Sequence, residues 1–361
     1  MKKTKKTVAI FTTDQGHASI SNTIAKTLKK DFNVHIYSDD NFMFAYYIFV
    51  YRFFPTSTKI PFLLFHNPIL RMLSSISLDI QYRAKVKKFL KQTNPDIVIN
   101  VFWMFRPSLD IMLKDSEIKY LNIVTDPWTV HPFVASKVAE NNLAFDQTTV
   151  KVIKGQVEEA IVTPIGWFVR DAFEEKFNKK EVRKKLELDN DKLTFLFTTG
   201  SEGTEKVLPI IGDVIKTNKP IQIIVACGNN ESMLNKVNAL KESLKENITL
   251  HAIPFTKELH LYMQAADLVI GKAGPNSVFE AVATLTPFFA TTHIAGQEDG
   301  NLDIIRELNL GFVEENVQKA SSILLKVIES PSQLESFKES LKKIAIYNKN
   351  SKQELQRIIK L

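Results

Sequence analysis

The stretch DLVIGKAGPNSVFEAVATLTPFFATTHIAGQEDGN, residues 267–301, decides how the rest of the chain is interpreted. An apolar strand at 268–270 runs into a loop with two glycines, and Pro275 then opens a helix. Glycines, a proline in the first helical turn and the N–H groups of that turn are typical of a phosphate site. Glu280 lies about one turn further along the same side, where its carboxylate could accept hydrogen bonds from two ribose hydroxyls.

A second apolar strand at 288–291 ends in the polar loop 296–301, whose side chains can hydrogen-bond sugar hydroxyls. Either half alone is equally consistent with an ordinary strand–loop–helix crossover. The two halves in succession favour a nucleotide-sugar site.

Length and composition set the limits of the interpretation. A chain of 361 residues is long enough for two domains, each with its own core. The single cysteine excludes an intramolecular disulfide and favours a reducing compartment. No apolar run reaches the ~18 residues of a membrane span, and the lysines at the start precede only four apolar residues, too few for a signal peptide. We therefore expect a cytoplasmic protein without a membrane-spanning helix.

The net charge of +7 is concentrated between residues 41 and 91, which contain eight basic residues and one acidic residue, Asp79. Ten aromatic residues lie within Phe42–Phe65, around Arg52, Phe53 and Phe54. Aromatic rings mixed with cations suit an anionic membrane surface. A helix packed on the sheet is an alternative. Stacking of single-stranded nucleic acid is disfavoured because the apolar bulk is aliphatic and phenylalanine-rich rather than alternating with basic residues, so we expect no nucleic-acid partner.

The N-terminal half reads as alternating strands and helices, with polar residues where strands end. His17 follows the strand at 7–12 and begins a helix, so it lies in the crevice where open α/β sheets bind ligands. The positive end of that helix should keep its imidazole neutral. Asp126 follows the strand at 120–124, and the aromatic residues Trp128 and Phe133 follow it in a polar loop. The alternatives are a helix cap or a structural core histidine for His17, and the cap of a turn before Pro127 for Asp126.

The C-terminal half repeats the pattern. Gly200 and Ser201 end the strand at 193–198 in a second phosphate-compatible loop. Phe255 follows the strand at 248–251 and could stack on a base or present backbone groups to it. The string Asp189-Asn190-Asp191 precedes a strand, at the wrong edge of the sheet for this site, and we interpret it as a solvated turn.

Three groups of residues resemble the two-domain glycosyltransferases that include monogalactosyldiacylglycerol synthases, processive diacylglycerol glucosyltransferases and the peptidoglycan N-acetylglucosaminyltransferase. The most specific group is Lys272-Ala273-Gly274-Pro275 with Glu280-Ala281, followed by Ile294-Ala295-Gly296-Gln297-Glu298 and Gly300-Asn301. The others are Val124-Thr125-Asp126 with His131-Pro132, and Gly16-His17. The resemblance covers about residues 7–312.

This resemblance implies a GT-B fold, in which two Rossmann-like domains face each other across a cleft. It also implies an inverting enzyme that uses a UDP-sugar without a metal or another cofactor. His17 would be the base, and Asp126 its support or an acceptor ligand. The positions that would bind the substrates are Gly16, Gly200, Ser201, Phe255, Gly274, Pro275, Asn276, Ser277, Glu280, Gln297, Glu298 and Asn301. Those that would meet the acceptor or the membrane are Trp128, Phe133, Arg52, Phe53 and Phe54.

We expect an N-terminal acceptor and membrane-facing domain at 1–166, a UDP-sugar domain at 167–345, and a C-terminal helix at 346–361 that crosses back to the first domain. The expected function is transfer of a hexose from a UDP-sugar to a hydroxyl of diacylglycerol or a glycolipid, by an enzyme peripherally associated with the membrane. A polyprenyl-linked or soluble acceptor, an inactive nucleotide-sugar-binding module and a UDP-sugar epimerase are the alternatives. The epimerase ranks lowest, because it has no need of a basic aromatic surface.

Overall fold

The computed structural model describes residues 5–14, 16–39, 59–64, 66–200 and 205–360. The chain divides into two compact units. Unit 1 consists of Met1–Arg170, Ile294–Gly300 and Tyr347–Leu361, and unit 2 of Asp171–His293 and Asn301–Ile346. The predicted Arg52, Phe53, Phe54 and Ser201, and most of the aromatic segment, lie outside the described residues.

The sheet of unit 1 is wholly parallel, with strand order β2-β1-β3-β4-β5-β6. Its strands are β1 (Thr7–Thr12), β2 (Asn33–Ser38), β3 (Ile97–Asn100), β4 (Lys119–Ile123), β5 (Asn141–Ala144) and β6 (Val162–Pro164). The central strands are covered on both faces, which explains their continuous apolar sequences: Val8 to Phe11 have no exposed surface.

The helices of unit 1 connect these strands. They are α1 (Gly16–Leu28), α2 (Lys59–Leu64), α3 (Pro68–Thr93), α4 (Arg106–Leu113) and α5 (Gln147–Gln156). Asn67 caps α3, since its side-chain oxygen accepts the N–H of Ile69 at 2.9 Å. Tyr82 and Val86 of α3 pack with Phe11 and Phe105 in the core.

The sheet of unit 2 is also parallel, with strand order β12-β11-β10-β7-β8-β9. Its strands are β7 (Leu193–Thr198), β8 (Ile221–Ala226), β9 (Ile248–Ile253), β10 (Leu268–Lys272), β11 (Phe288–Thr292) and β12 (Gly311–Val313). The prediction of two Rossmann-like α/β domains is therefore confirmed.

The helices that follow in the chain are α6 (Asp171–Glu174), α7 (Lys179–Lys185), α8 (Leu208–Val214), α9 (Glu231–Leu240), α10 (Leu259–Ala265), α11 (Pro275–Ala283), α12 (Asp299–Glu307), α13 (Val317–Glu329), α14 (Lys338–Lys349) and α15 (Ser351–Lys360). Between α7 and β7, the Asp191 N–H donates to Asp189 Oδ1 at 2.8 Å, which makes this string a turn. Among the helices described, none is both long and apolar enough to cross a membrane.

The C-terminal helix α15 packs within unit 1. Leu355 is fully buried, the Gln356 amide donates to the Thr27 carbonyl at 3.2 Å, and Lys119 Nζ donates to the Ile358 carbonyl at 2.6 Å. Unit 1 is therefore completed by the last segment of the chain.

Candidate active site

His17 lies at the topological switch point of the unit 1 sheet. β1 is flanked by β2 and β3, and a ligand crevice opens at the carboxyl end where the strand order reverses. His17 is the second residue of α1, directly beyond that end, and its ring meets the edge of Phe102 at 5.0 Å. Burial lowers the pKa of His17 to about 4, so the imidazole is neutral at pH 7. The cause is loss of water on burial, not the helix end that the sequence suggested.

Thr125 connects His17 to Asp126. Thr125 Oγ1 lies 3.4 Å from His17 Nε2 and 3.5 Å from Asp126 Oδ2, at the end of β4. Both hydrogen bonds are long and therefore weak. If Thr125 donates to the Asp126 carboxylate, its lone pair faces Nε2, which must then carry the ring proton. Nδ1 is in that case the nitrogen able to accept a proton.

Asp126 is a buried carboxyl with opposing influences on its acidity. Its pKa is raised to about 6, first because burial disfavours the charged form and also because the Glu298 charge repels it. Hydrogen bonds from Gln297 and Thr125 act in the opposite direction and lower the pKa. Asp126 is therefore mostly ionised at pH 7 and half protonated near pH 6.

The loop Ile294–Gly300 belongs to unit 1, although the sequence placed it in the C-terminal domain. Gln297 Nε2 donates to Asp126 Oδ1 at 2.8 Å, and the Gly300 N–H donates to Thr129 Oγ1. A side chain at Gly300 would lie 2.8 Å from the Pro127 carbonyl oxygen, so this approach requires glycine. Glu298 accepts the Ile294 N–H at 2.7 Å. Gln297 and Glu298, which were both predicted to bind the sugar, therefore also form hydrogen bonds within unit 1.

Two aromatic residues predicted to meet the acceptor or the membrane differ in position. Phe133 is only 1% exposed, and its ring stacks on His131 at 5.4 Å with an interplanar angle of 13°. The predicted surface role of Phe133 is therefore wrong, because the ring fills the interior beneath this loop. Trp128 is partly exposed, adopts φ of 63° and donates its indole N–H to the Asp146 carboxylate at 2.9 Å.

A buried row of three asparagines holds the segment that follows Asp126. Asn100, Asn122 and Asn142 occupy paired positions on β3, β4 and β5, and each neighbouring pair is joined by an amide hydrogen bond of 2.9 Å. Asn122 also donates to the Val134 carbonyl at 2.7 Å, and Asn142 to the Ser136 carbonyl at 2.8 Å. This row was not predicted from the sequence, although an asparagine within each of three buried strands was a visible signal.

The candidate donor site in unit 2 also lies at a switch point, where β10 and β7 are neighbours. Gly274 is the N-cap of α11 and Pro275 its first residue. The N–H groups of the first turn, which include those of Asn276 and Ser277, point out of the helix. Together with the helix dipole they favour an anion. A side chain at Gly271 would lie 2.5 Å from the Thr198 carbonyl oxygen, so only glycine allows these strands this spacing.

The remaining residues predicted to bind the donor either follow strands of the unit 2 sheet or lie in α11 and α12. Glu280 is 6% exposed on α11. Phe255 follows β9 and is 58% exposed, so it is accessible to a ligand. Gly200, with φ of 75°, ends β7 in a left-handed turn. Asn301 lies in α12 rather than in a loop, and its amide donates to the Ala273 carbonyl at 2.8 Å, which fixes the backbone just before Gly274.

Two family models match the chain, one for each half. Residues 12–167 match the monogalactosyldiacylglycerol (MGDG) synthase model, and residues 194–290 match the glycosyltransferase family 28 C-terminal domain. The chain is similar to each of these families over the matched residues. These matches confirm the resemblance inferred from the motifs. The matched residues include His17, Asp126 and the Gly274–Glu280 segment.

Individual relatives agree with this relationship. A probable monogalactosyldiacylglycerol synthase 3 of Oryza sativa is 25% identical over 256 residues, which are 67% of this chain and 50% of the rice protein. The processive diacylglycerol β-glucosyltransferase of Bacillus licheniformis is 23% identical and covers 96% of this chain and 92% of its own. The chain spans about half the length of the plant relatives that it matches.

The crystal structure of Acinetobacter baumannii MurG has the same fold. It superposes with a TM-score of 0.65 at 14% identity and covers 99% of this chain and 100% of its own. At this identity, the similarity establishes the architecture alone.

Proposed function

We propose that the chain is a glycosyltransferase that moves a hexose from a UDP-sugar to a hydroxyl group of a lipid, with diacylglycerol or a glycolipid as acceptor. The observation that carries the proposal is the neutral His17 at the switch point of unit 1, linked through Thr125 to Asp126. This arrangement lies inside the segment that matches the MGDG synthase model. The bacterial relative that covers almost the whole chain is named for glucosyl transfer to diacylglycerol.

The chemistry follows from these residues. His17 takes the proton of the acceptor hydroxyl as its oxygen attacks the anomeric carbon of the sugar. The bond from that carbon to the diphosphate oxygen breaks, and UDP leaves with the electron pair. Attack and departure on opposite faces of the carbon invert its configuration. Ionised Asp126 stabilises the imidazolium that forms.

UDP departs as an anion, and residues of unit 2 would stabilise its negative charge. The start of α11 at Gly274–Ser277 would bind the phosphates, and Glu280 the ribose hydroxyls. We propose that these groups take the place of a metal ion. Transfer that continues in the presence of a chelator such as EDTA would support this part, and loss of transfer that Mg²⁺ or Mn²⁺ restores would contradict it.

The deciding experiment is incubation of the full chain with separate UDP-sugars and mixed lipids, followed by mass spectrometry of the lipid extract. A lipid that gains one hexose in a β linkage from an α-linked donor supports inverting transfer. Modification of a polyprenyl-linked or soluble acceptor alone would overturn the acceptor assignment. Tight UDP binding without any product across the panel would instead show an inactive nucleotide-sugar-binding module.

The lipid acceptor implies work at a membrane surface, and we propose peripheral association at the cytoplasmic face. The surplus of basic residues between 41 and 91 supports association with anionic lipid.

A further inference from the structure

The bend that follows β4 contains a tryptophan in a backbone conformation that side chains rarely adopt. Residues 126–129 form this bend, and Trp128 has φ of 63°. Glycine or asparagine is the usual residue at such a position, because a Cβ atom crowds the following carbonyl oxygen there. A bulky side chain persists in this conformation only where its surroundings hold it.

The indole of Trp128 is held by Asp146. Its Nε1–H donates to Asp146 Oδ2 at 2.9 Å and to Oδ1 at 3.1 Å. Asp146 is the N-cap of α5, and its Oδ1 also accepts the N–H and the hydroxyl of Thr149, each at 2.8 Å. The start of a helix therefore fixes the acceptor, and a bond to a carboxylate is stronger than one between neutral groups.

The residues on either side of Trp128 contact the same segment, the loop that follows β11. Asp126 Oδ1 accepts the Gln297 amide at 2.8 Å, and Thr129 Oγ1 accepts the Gly300 N–H. In an extended chain, side chains three residues apart point in opposite directions. The conformation of position 128 therefore allows both groups to reach one loop.

The chain before and after the bend is held separately. The Val124 N–H donates to the Leu143 carbonyl at 2.9 Å, and Gln156 Nε2 donates to the Val130 carbonyl at 2.9 Å. Loss of the indole bond would therefore release the bend while its two ends stay in place.

We propose that Trp128 is a positioning residue, whose hydrogen bond to Asp146 keeps the bend in the conformation that aligns Asp126 with Gln297. The bond offsets the free-energy cost of the left-handed backbone, and without it the bend relaxes and Asp126 moves away from the amide. The proposal rests on the proposed function, in which Asp126 stabilises the imidazolium of His17. It differs from a contact with acceptor or membrane, because the indole acts through its N–H group and not through its exposed surface.

Three variants separate positioning from acceptor contact. Trp128→Phe keeps an aromatic ring and the strained Cβ but removes the N–H group. Asp146→Ser removes the acceptor, while serine remains a good N-cap. Trp128→Gly removes both the bond and the strain. Asn316→Ser, at the N-cap of α13, is the matched control for a cap exchange.

The order of the two substitutions at position 128 is diagnostic. Trp128→Phe and Asp146→Ser should lower kcat at least roughly tenfold, with an unchanged KM for the acceptor. Trp128→Gly should lose less, because glycine adopts the required φ without an anchor. If the ring instead contacted the acceptor, Trp128→Phe would be the milder change and the loss would appear in KM.

The titration of Asp126 is a readout that does not depend on transfer. The ¹³C carboxyl shift of Asp126, assigned by its absence in Asp126→Asn, reports its pKa in the chain without substrates. That pKa is about 6, lowered by the Gln297 bond and raised by the Glu298 charge. The other titratable group nearby, His17, is reached through Thr125.

Loss of the Gln297 bond removes a contact with the charged form of Asp126, so its pKa should rise. We expect this rise in Trp128→Phe and Asp146→Ser, a smaller rise in Trp128→Gly, and none in the cap control. In a Gln297→Leu background, where the amide is already absent, Trp128→Phe should cause no further rise.

The outcomes separate this proposal from the proposed function. Thermal melts of every variant check folding, and Asp146→Ser tests the bond without a change at position 128. An unchanged or lower Asp126 pKa in folded Trp128→Phe would overturn the positioning role, and so would a loss confined to the acceptor KM. The expected rise in pKa, in a chain that glycosylates no lipid, would leave the positioning of Asp126 standing and reject the transferase.

Discussion

Gln297 and Asp126 lie 171 positions apart in the sequence and are joined by a hydrogen bond of 2.8 Å from the Gln297 amide to Asp126 Oδ1. The residue predicted to bind the sugar is therefore a direct partner of the carboxyl predicted to assist the base. Because this bond lowers the pKa of Asp126 while burial and Glu298 raise it, the protonation of Asp126 depends on the position of the Gln297 amide.

Substitution of Gln297 should shift the pH dependence of transfer. An acid with a pKa of about 6 is ionised above that value and protonated as the pH falls through it. If transfer requires ionised Asp126, activity is lost below about pH 6. Gln297→Leu removes a hydrogen bond to the charged form, so the acidic limb of kcat/KM should move to higher pH. The measurement is a pH profile at fixed ionic strength.

Asp126→Asn removes the titrating carboxyl itself. The acidic limb of the kcat/KM profile of this variant should move to lower pH, toward the His17 pKa of about 4, and its maximal rate should be lower than that of wild type. The Asp126 pKa is raised on folding from its ordinary 3.8, so ionisation destabilises the native state and stability falls as pH rises from about 4 to about 6. Asp126→Asn should therefore be more stable than wild type at pH 7, by up to ~3 kcal/mol. Identical pH profiles for both variants and wild type would contradict the role of Asp126.

His17→Ala should abolish transfer while UDP binding is retained. Loss of a positioned general base typically costs ~10²–10⁴-fold in rate, whereas the proposed UDP ligands belong to unit 2. Single-turnover rates and calorimetric titration with UDP measure the two properties. His35→Ala, at an exposed position on β2, is the matched control. Near-normal turnover by His17→Ala would reject the base assignment.

Glu280→Gln should weaken binding of the donor. A carboxylate that accepts ribose hydroxyls makes charge-assisted hydrogen bonds of ~1.5–3 kcal/mol, so the Kd for UDP should rise by roughly 10- to 150-fold. The same substitution should have little effect on the binding of a ligand without a ribose, such as pyrophosphate. Glu307→Gln, at an exposed position on α12, should bind both ligands like wild type. Equal weakening for UDP and pyrophosphate would place Glu280 in a structural role.

Gly271→Ala should destabilise unit 2. The added methyl group would contact Thr198 Oγ1 and lie 2.5 Å from the Thr198 carbonyl oxygen, and overpacking of this kind costs ~1–3 kcal/mol. Gly212→Ala, on α8, would meet nothing within 4 Å and should instead stabilise by up to ~1 kcal/mol through helix propensity. Chemical denaturation of both variants measures the difference. Similar stabilities would show that β10 can move away from β7.

The sequence predicted those parts of the site that depend on local pattern. Buried apolar runs marked the parallel strands, and His17 and Asp126 were each expected directly after a strand, at the carboxyl edge of the sheet. The glycine–proline pair likewise marked the start of α11. Contacts that depend on distant packing were not predictable: the Gln297–Asp126 bond, the Thr125 connection and the burial of Phe133. Asn301 was assigned to a loop because glycine and acidic residues surround it, but an aspartate at position 299 also suits the first turn of a helix.

The C-terminal helix α15 has a consequence for how the protein is made. Its residues pack on segments of unit 1 that are synthesised much earlier, such as Thr27 of α1 and Lys119 of β4, and all of unit 2 is encoded between them. During translation unit 2 therefore leaves the ribosome before α15 does, and the place that Leu355 fills in unit 1 stays open until α15 has been made. Nascent unit 1 exposes apolar surface until then, and chains truncated before α15 should be preferred clients of chaperones and proteases.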